Sequence, residues 1–324
     1  MRATPLLTSL SLPAFLLAGC TVGDVGGPDP DPDPDPDPDP GSLDVSGPIT
    51  ADATWPTAVN LTGDAEIAAG VDITIGAGTA FVGAEQAKLT VRGNLLIQGT
   101  ADSPVTMAVA NDTGAWGGIV VESGGAVEIH NASGDKVAVL MDCKAGALGC
   151  VLDGVTFSNL GIVIRAAAVA SIDKSDVSDM NNGGVSVSTG GDLTITDSKV
   201  WTSSSDLIVV NGGSLTIDHS EIGSDYVGSY EHCDLHIGSA AAVDIKYSNI
   251  VSSEYGFMIG GTTGAVIQYN NFMGNTTDID EVGTNTAGDM RYNYWDHGAP
   301  ANLAGAFDVS SASPSQLIDT GPRP

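Results

Sequence analysis

Apolar and polar positions alternate in short runs through most of the chain, and the runs recur. Six-residue segments beginning at Ile172, Ile195, Ile217, Ile245 and Ile267 share one template, an Ile, two variable residues, a Ser or Asn, a further variable residue and an apolar residue. Their starts are 23, 22, 28 and 22 residues apart. A second set, Ile162, Val185, Leu207, Leu235, Phe257 and Ile279, is spaced by 23, 22, 28, 22 and 22. Two columns on one beat identify an internal repeat near 22 residues. Leu193 and Ile195 keep the two-residue period of a strand, the phase slips by one before Ser198, and Ser198 and Val200 resume it. Short strands joined at corners follow. The pairs Gly190 with Gly191, Gly212 with Gly213 and Gly260 with Gly261 then mark the turns into the next round. No round buries its apolar side alone, so successive rounds stack their strands in parallel.

This organisation resembles the right-handed parallel β-helix of the pectate-lyase-like superfamily, whose coils have this length and carry ladders of Asn or Ser inside a corner. The corresponding ladder is Asp153, Ser175, Ser198, Ser220, Ser248, Asn270 and Asn293. Ile73 and Ile75, Leu89 and Val91, and Trp116 to Ile119 resemble the opening rounds of bacterial secreted β-helix proteins. Tyr292 to Trp295, and the Ser313-Pro314 and Ile318 to Gly321 stretches, resemble their closing rounds. The resemblance covers residues 55–321 and implies an all-β fold, a solenoid of about ten coils. At ~4.8 Å per round the rod is about 50 Å long. A β-sandwich is the competing fold, but its strands would be more evenly spaced.

Residues 1–20 hold one early charge, Arg2, an apolar run over residues 5–18, and Leu17, Ala18, Gly19 and Cys20. The run is too short to cross a bilayer and reads as an export signal. Its end resembles the lipobox of bacterial lipoproteins, which implies lipidation at Cys20 and attachment to the cell envelope. Thr21, in place of the Asp that many enterobacterial lipoproteins use for inner-membrane retention, favours the outer membrane. Six Asp-Pro units span residues 29–40. Proline removes donors and the carboxylates repel one another, so residues 21–50 are expected to be a stiff stalk of which the twelve Asp-Pro residues extend about 37 Å. The β-helix domain is expected over residues 51–321.

Forty Asp and Glu face eleven Lys and Arg, a net charge of -29. Nucleic acid is excluded as a partner, because the phosphate term of such binding would be repulsive.

The chemistry is less specific. Ile217, Asp218, His219 and Ser220 overlap a pectate-lyase stretch, but the Trp that would precede it is Thr216, and Arg165 and Arg291 are isolated. The Asp218-His219 pair reads as an outward strand position, in a column with Lys174, Asp197, Tyr247, Tyr269 and Tyr292. No Gly-His-Gly, Gly-x-Ser-x-Gly, P-loop or Cys-x-x-Cys occurs. Tyr247, Tyr269 and Tyr292 form an aromatic ladder that either lines a glycan site or covers the strands. Cys143 and Cys150 either close a small disulfide across a Gly/Ala loop or remain buried thiols, Cys150 falling in the column of Ile172 and Ile195. Cys233 has no evident partner.

The 28-residue round places extra residues within 223–233. The loop's Asp225, Tyr226, Tyr230, Glu231 and His232 form a candidate binding group. Asp225, Glu231 and Asp234 offer hard oxygens to Ca²⁺, and His232 a nitrogen to Zn²⁺. No other cofactor is expected. Two readings remain, a non-catalytic surface binding or adhesion module contacting glycan, and a carbohydrate-active lyase, epimerase or hydrolase; a purely structural envelope protein is the third. The sequence leaves the oligomeric state open.

Overall fold

Alternation with period two puts every second side chain of a strand on one face, and here that face is apolar in round after round. The computed structural model describes residues 41–111, 114–160, 162–180, 184–203, 205–223, 233–239, 242–281, 287–301, 303 and 307–324. The described strands are paired in parallel in two sheets, one of 21 strands and one of 12. The larger sheet combines two runs, so most rounds contribute three strands. Asp192–Thr196, Lys199–Trp201 and Ile208–Asn211 make one such round. The result is a parallel β-helix of about ten turns; right-handed crossovers are the ones twisted strands favour.

The core is a set of stacked apolar columns. Trp55, Ile75, Ile97, Ile129, Leu152, Ile172, Ile195, Ile217, Ile245 and Ile267 pair in direct succession. All ten are buried. The second column runs through Ile164, Val185, Ile208, Leu235, Phe257 and Ile279, so Ile164 and Ile208 stand where the spacing pointed to Ile162 and Leu207. Cys150 pairs with Ala170, one column away from Ile172, which faces Leu152.

The inner polar ladder is present from Ser175 onward. The backbone N–H of each member donates to the side chain of the next: Ser175 to Ser198 Oγ (3.1 Å), Ser198 to Ser220 Oγ (3.2 Å), Ser220 to Ser248 Oγ (3.0 Å), Ser248 to Asn270 Oδ1 (2.9 Å) and Asn270 to Asn293 Oδ1 (2.8 Å). Its first rung is Val155, whose N–H donates to Ser175 Oγ at 3.2 Å. Asp153 instead pairs with Asp173 on the strand before the corner. The round between these corners is two residues shorter than the 22-residue beat, which misplaces the ladder by that amount.

The corner itself is made by left-handed backbone. Asn131, Lys174, Asp197, His219, Tyr247, Tyr269 and Tyr292 have φ between 44° and 68°, and Gly154 shares the column at 64°. This corrects the expectation that the Asp218-His219 column is a strand position, because residue 219 is where the chain turns between Ser214–Asp218 and Glu221–Gly223. A non-glycine residue there is strained by about 1–2 kcal/mol. The strain is offset by hydrogen bonding: Lys174, Asp197 and His219 donate their N–H groups to carbonyls of the next round at 3.1, 3.2 and 3.2 Å.

The solenoid also starts earlier than the expected stalk boundary. Leu43–Ile49 is already a strand, paired with Ala58–Ile67 from Leu43 opposite Val59 onward. At the other end residues 313–323 return along the corner: Leu317 N donates to Asn271 Oδ1 (2.8 Å), Thr320 Oγ1 to Asn249 Oδ1 (2.8 Å) and Gly321 N to Tyr247 O (2.8 Å). Arg323 Nε and Nη2 then donate to the two oxygens of Asp197 at 2.6 and 2.9 Å.

Candidate metal centre

Parallel pairing brings together residues far apart in the chain. Ile208–Asn211 pairs with Cys233–Ile237, with Ile208 opposite Leu235 and Val209 opposite His236. The same stagger sets Asp206, just before the first strand, against Cys233, the first residue of the second. Leu207 N donates to the Cys233 carbonyl at 3.0 Å and holds this mouth closed. The Cys233 thiol donates to Asp206 Oδ1 (3.2 Å), and His236 Nδ1 lies 2.8 Å from Asp206 Oδ2. One donor atom from each of the three residues falls within 4.8 Å of the others.

Cys233 is buried, while Asp206 and His236 are partly open to solvent. Burial pushes the Cys233 thiol far above its ordinary range, and the Asp206 and Asp234 charges push it further. The sulfur therefore carries a proton that a metal would have to displace. His236 is opposite Met258 on the next strand, so a thioether-bearing residue sits one strand spacing away, about 4.8 Å. Thiolate, imidazole and carboxylate form a soft-to-borderline donor set that suits copper or zinc and not Ca²⁺.

A second cluster lies further along the same run of strands. Asp278, in Thr277–Glu281, meets Asp296 and His297, which follow Tyr294–Trp295; their donor atoms also fall within 4.8 Å. Asp278 Oδ1 accepts from Asn275 Nδ2 at 3.3 Å. Asp296 Oδ2 accepts from Gly274 N at 2.6 Å, and its Oδ1 lies 2.8 Å from His297 Nδ1. Burial raises the Asp278 carboxyl above the usual carboxylate range; the Asn275 bond opposes that and the Asp296 charge adds to it. Asp278, Asp280, Glu281 and His297 line an open cleft of about 560 Å³.

The aromatic ladder has one member more than expected. His219 stacks on Tyr247 (5.0 Å between centroids, 22° between planes), Tyr247 on Tyr269 (5.3 Å, 12°) and Tyr269 on Tyr292 (5.0 Å, 9°). Rings packed this way cover one another's faces and turn their edges outward. A sugar's C–H face needs an open ring face, so the geometry favours the reading in which the ladder covers its corner.

Cys143 and Cys150 are joined in a disulfide across the loop between Val139–Cys143 and Gly149–Asp153. Asp225, Tyr226, Tyr230, Glu231 and His232, like Cys20, lie outside the described residues. Sequence reasoning singled out Cys233 but not His236 or Asp206; the missing signal was the stagger of 27 residues between Asp206 and Cys233 that the long round imposes. Asp278, Asp296 and His297 belong to no motif and carried no signal.

No curated protein and no solved structure matches the chain. A family model described as "Periplasmic copper-binding protein (NosD)" matches residues 105–305, a stretch that holds both clusters and most of the solenoid. That match spans more than half of the chain, and the protein belongs to this family.

Proposed function

We propose that this protein is a non-catalytic, exported copper-binding β-helix whose metal centre is Asp206, Cys233 and His236. The observation that carries the reading is the convergence, within 4.8 Å, of a buried thiol and an imidazole nitrogen on one strand and a carboxylate just before its paired strand. The family's description as periplasmic and copper-binding supports it. Thiolate and imidazole favour Cu(I), Met258 adds a soft donor on the neighbouring strand, and Asp206 orients His236 through Nδ1. Copper binding releases the Cys233 proton and replaces its contact with Asp206.

In this reading the solenoid is a rigid scaffold that fixes the three donors by strand register. Lipidation at Cys20 ties it to the envelope, and the Asp-Pro stalk holds it off the membrane. Surface contact with glycan remains part of the proposal only through the loop around Asp225 to His232, since the stacked tyrosines offer edges.

The test is a Cu(I) competition against a chromophoric chelator with the full chain and two variants, Cys233→Ser and His236→Ala. The wild type is expected to withdraw one equivalent, and each variant to bind at least ~10-fold more weakly. Wild-type affinity in both variants would overturn the assignment.

A further inference from the structure

The Asp278, Asp296 and His297 cluster is chemically unlike the thiol centre. It offers one imidazole and two carboxylates and no sulfur, and two of its members, Asp278 and His297, line a cleft of about 560 Å³. Among the described residues that line this cleft there are three carboxylates, Asp278, Asp280 and Glu281, and no Lys or Arg. A cation entering it meets an attractive field undiluted by fixed positive charge.

Asp278 supplies an independent observation. It is only 6% exposed, and its Oδ1 accepts one bond from Asn275. The second oxygen accepts from no donor among the described residues, and Asp278 lines the cleft, so a carboxylate that is otherwise packed away keeps one acceptor free for what enters. A carboxylate fixed by its surroundings, with one oxygen unpaired on the wall of an acidic cleft beside a second carboxylate and an imidazole, is an arrangement a cation completes.

Strand register fixes the donors. Thr277–Glu281 pairs with Tyr255–Ile259, and Asn271–Met273 pairs with Tyr294–Trp295, so Asp296 follows directly from a paired strand. Asp296 is anchored by Gly274 N at 2.6 Å through Oδ2, and its Oδ1 lies 2.8 Å from His297 Nδ1 within the cluster. Gly274 has φ of 69°, a left-handed turn that points its N–H at this carboxylate.

We infer that Asp278, Asp296 and His297 form a second metal site, distinct from the thiol centre, for a divalent transition-metal ion of nitrogen and oxygen preference such as Cu(II) or Zn(II). One nitrogen and two oxygens leave coordination positions open toward the cleft, and the absence of sulfur selects against Cu(I). His297 is the most exposed of the three and the entry ligand, its side chain 61% accessible. Asp278 is the buried anchor.

The experiment uses the full chain carrying Cys233→Ser and His236→Ala, so that its outcome does not depend on the thiol centre. Cu(II) is titrated in, and bound metal is read by electron paramagnetic resonance and by metal analysis after desalting. One retained Cu(II) per chain is expected, with hyperfine coupling to a single imidazole nitrogen. Adding His297→Ala should remove that coupling, and adding Asp278→Asn, which keeps side-chain size and a carbonyl oxygen, should weaken binding at least ~10-fold. Circular dichroism of each variant verifies that the solenoid is intact. A spectrum and stoichiometry unchanged by both substitutions would overturn the inference, as would no Cu(II) retained after desalting. Retention here combined with loss of Cu(I) binding by the wild type would sink the thiol centre and leave this site standing.

Discussion

Replacing Asn270 by Ala removes a rung of the inner ladder whose side chain makes three hydrogen bonds. Asn270 is fully buried. Its Oδ1 accepts from Ser248 N (2.9 Å), and its Nδ2 donates to Ile245 O (2.9 Å) and Asn293 Oδ1 (3.2 Å). Alanine leaves the Ser248 N–H without its acceptor where no solvent reaches, which costs about 1–3 kcal/mol. The space vacated by the carboxamide adds about 1 kcal/mol, because neighbouring rounds are held by their own ladders and cannot collapse into it. The expected loss is therefore about 2–4 kcal/mol. Asn270→Ser should lose less, about 1 kcal/mol, since a serine hydroxyl can accept this bond as Ser248 Oγ accepts from Ser220 N at 3.0 Å. Solenoids need not unfold in one step, so the assay is amide hydrogen exchange at Ser248 and its neighbours beside chemical denaturation. An Ala variant within about 0.5 kcal/mol of wild type, or a Ser variant as damaged as Ala, would refute the account of the ladder.

Two further outcomes follow from the same geometry. The Cys143 to Cys150 disulfide closes a loop with a sequence separation of 7; chain entropy sets its contribution at about 2–3 kcal/mol, so Cys143→Ser with Cys150→Ser should lower the denaturation midpoint, and an unchanged midpoint would show that the unfolded chain is not constrained by the bond. The Arg323 guanidinium holds the Asp197 carboxyl below its usual value, so the clamp is fully present well above the ordinary carboxylate range and is lost as pH falls through the depressed value; the extra exchange of the C-terminal segment in Arg323→Ala should be constant at neutral pH and shrink as the solution is acidified, and a difference that does not shrink at all on acidification would count against the ion pair.

The apolar columns were legible because Ile, Leu and Val recur at positions that the hydrophobic effect forces into one interior. Ile172, Ile195, Ile217, Ile245 and Ile267 form one column in space as they do on paper. Errors arose where rounds differ in length: Asp153 was taken for a ladder member because the round between Val155 and Ser175 is short. The left-handed corner was hidden for another reason. Lys174 and His219 are not residues chosen for positive φ, and it is the next round's carbonyl that holds each of them there. The candidate metal centre was half visible. The long round drew attention to residues 224–232, whereas Cys233 and His236 stand just after that segment and Asp206 opposite it, a juxtaposition set by register and written in no local motif.

The returning C-terminal segment has a consequence for how the rod comes apart. Stacked rounds touch only their neighbours, so an untied end peels away one round at a time. Here Ser313 N donates to Asn293 O, Leu317 and Thr320 grip Asn271 and Asn249, and Arg323 reaches Asp197, 126 residues back in the chain. The final rounds are thus stitched into a closed ring of contacts that no single round can leave. Pulled from its C-terminus, the molecule should first tear this seam in one event and only then unzip in steps. Asp206, Cys233 and His236, which lie between Asp197 and Asn249 in the chain, sit inside the seam, so the candidate donors are shielded from end fraying for as long as the tail stays sewn down.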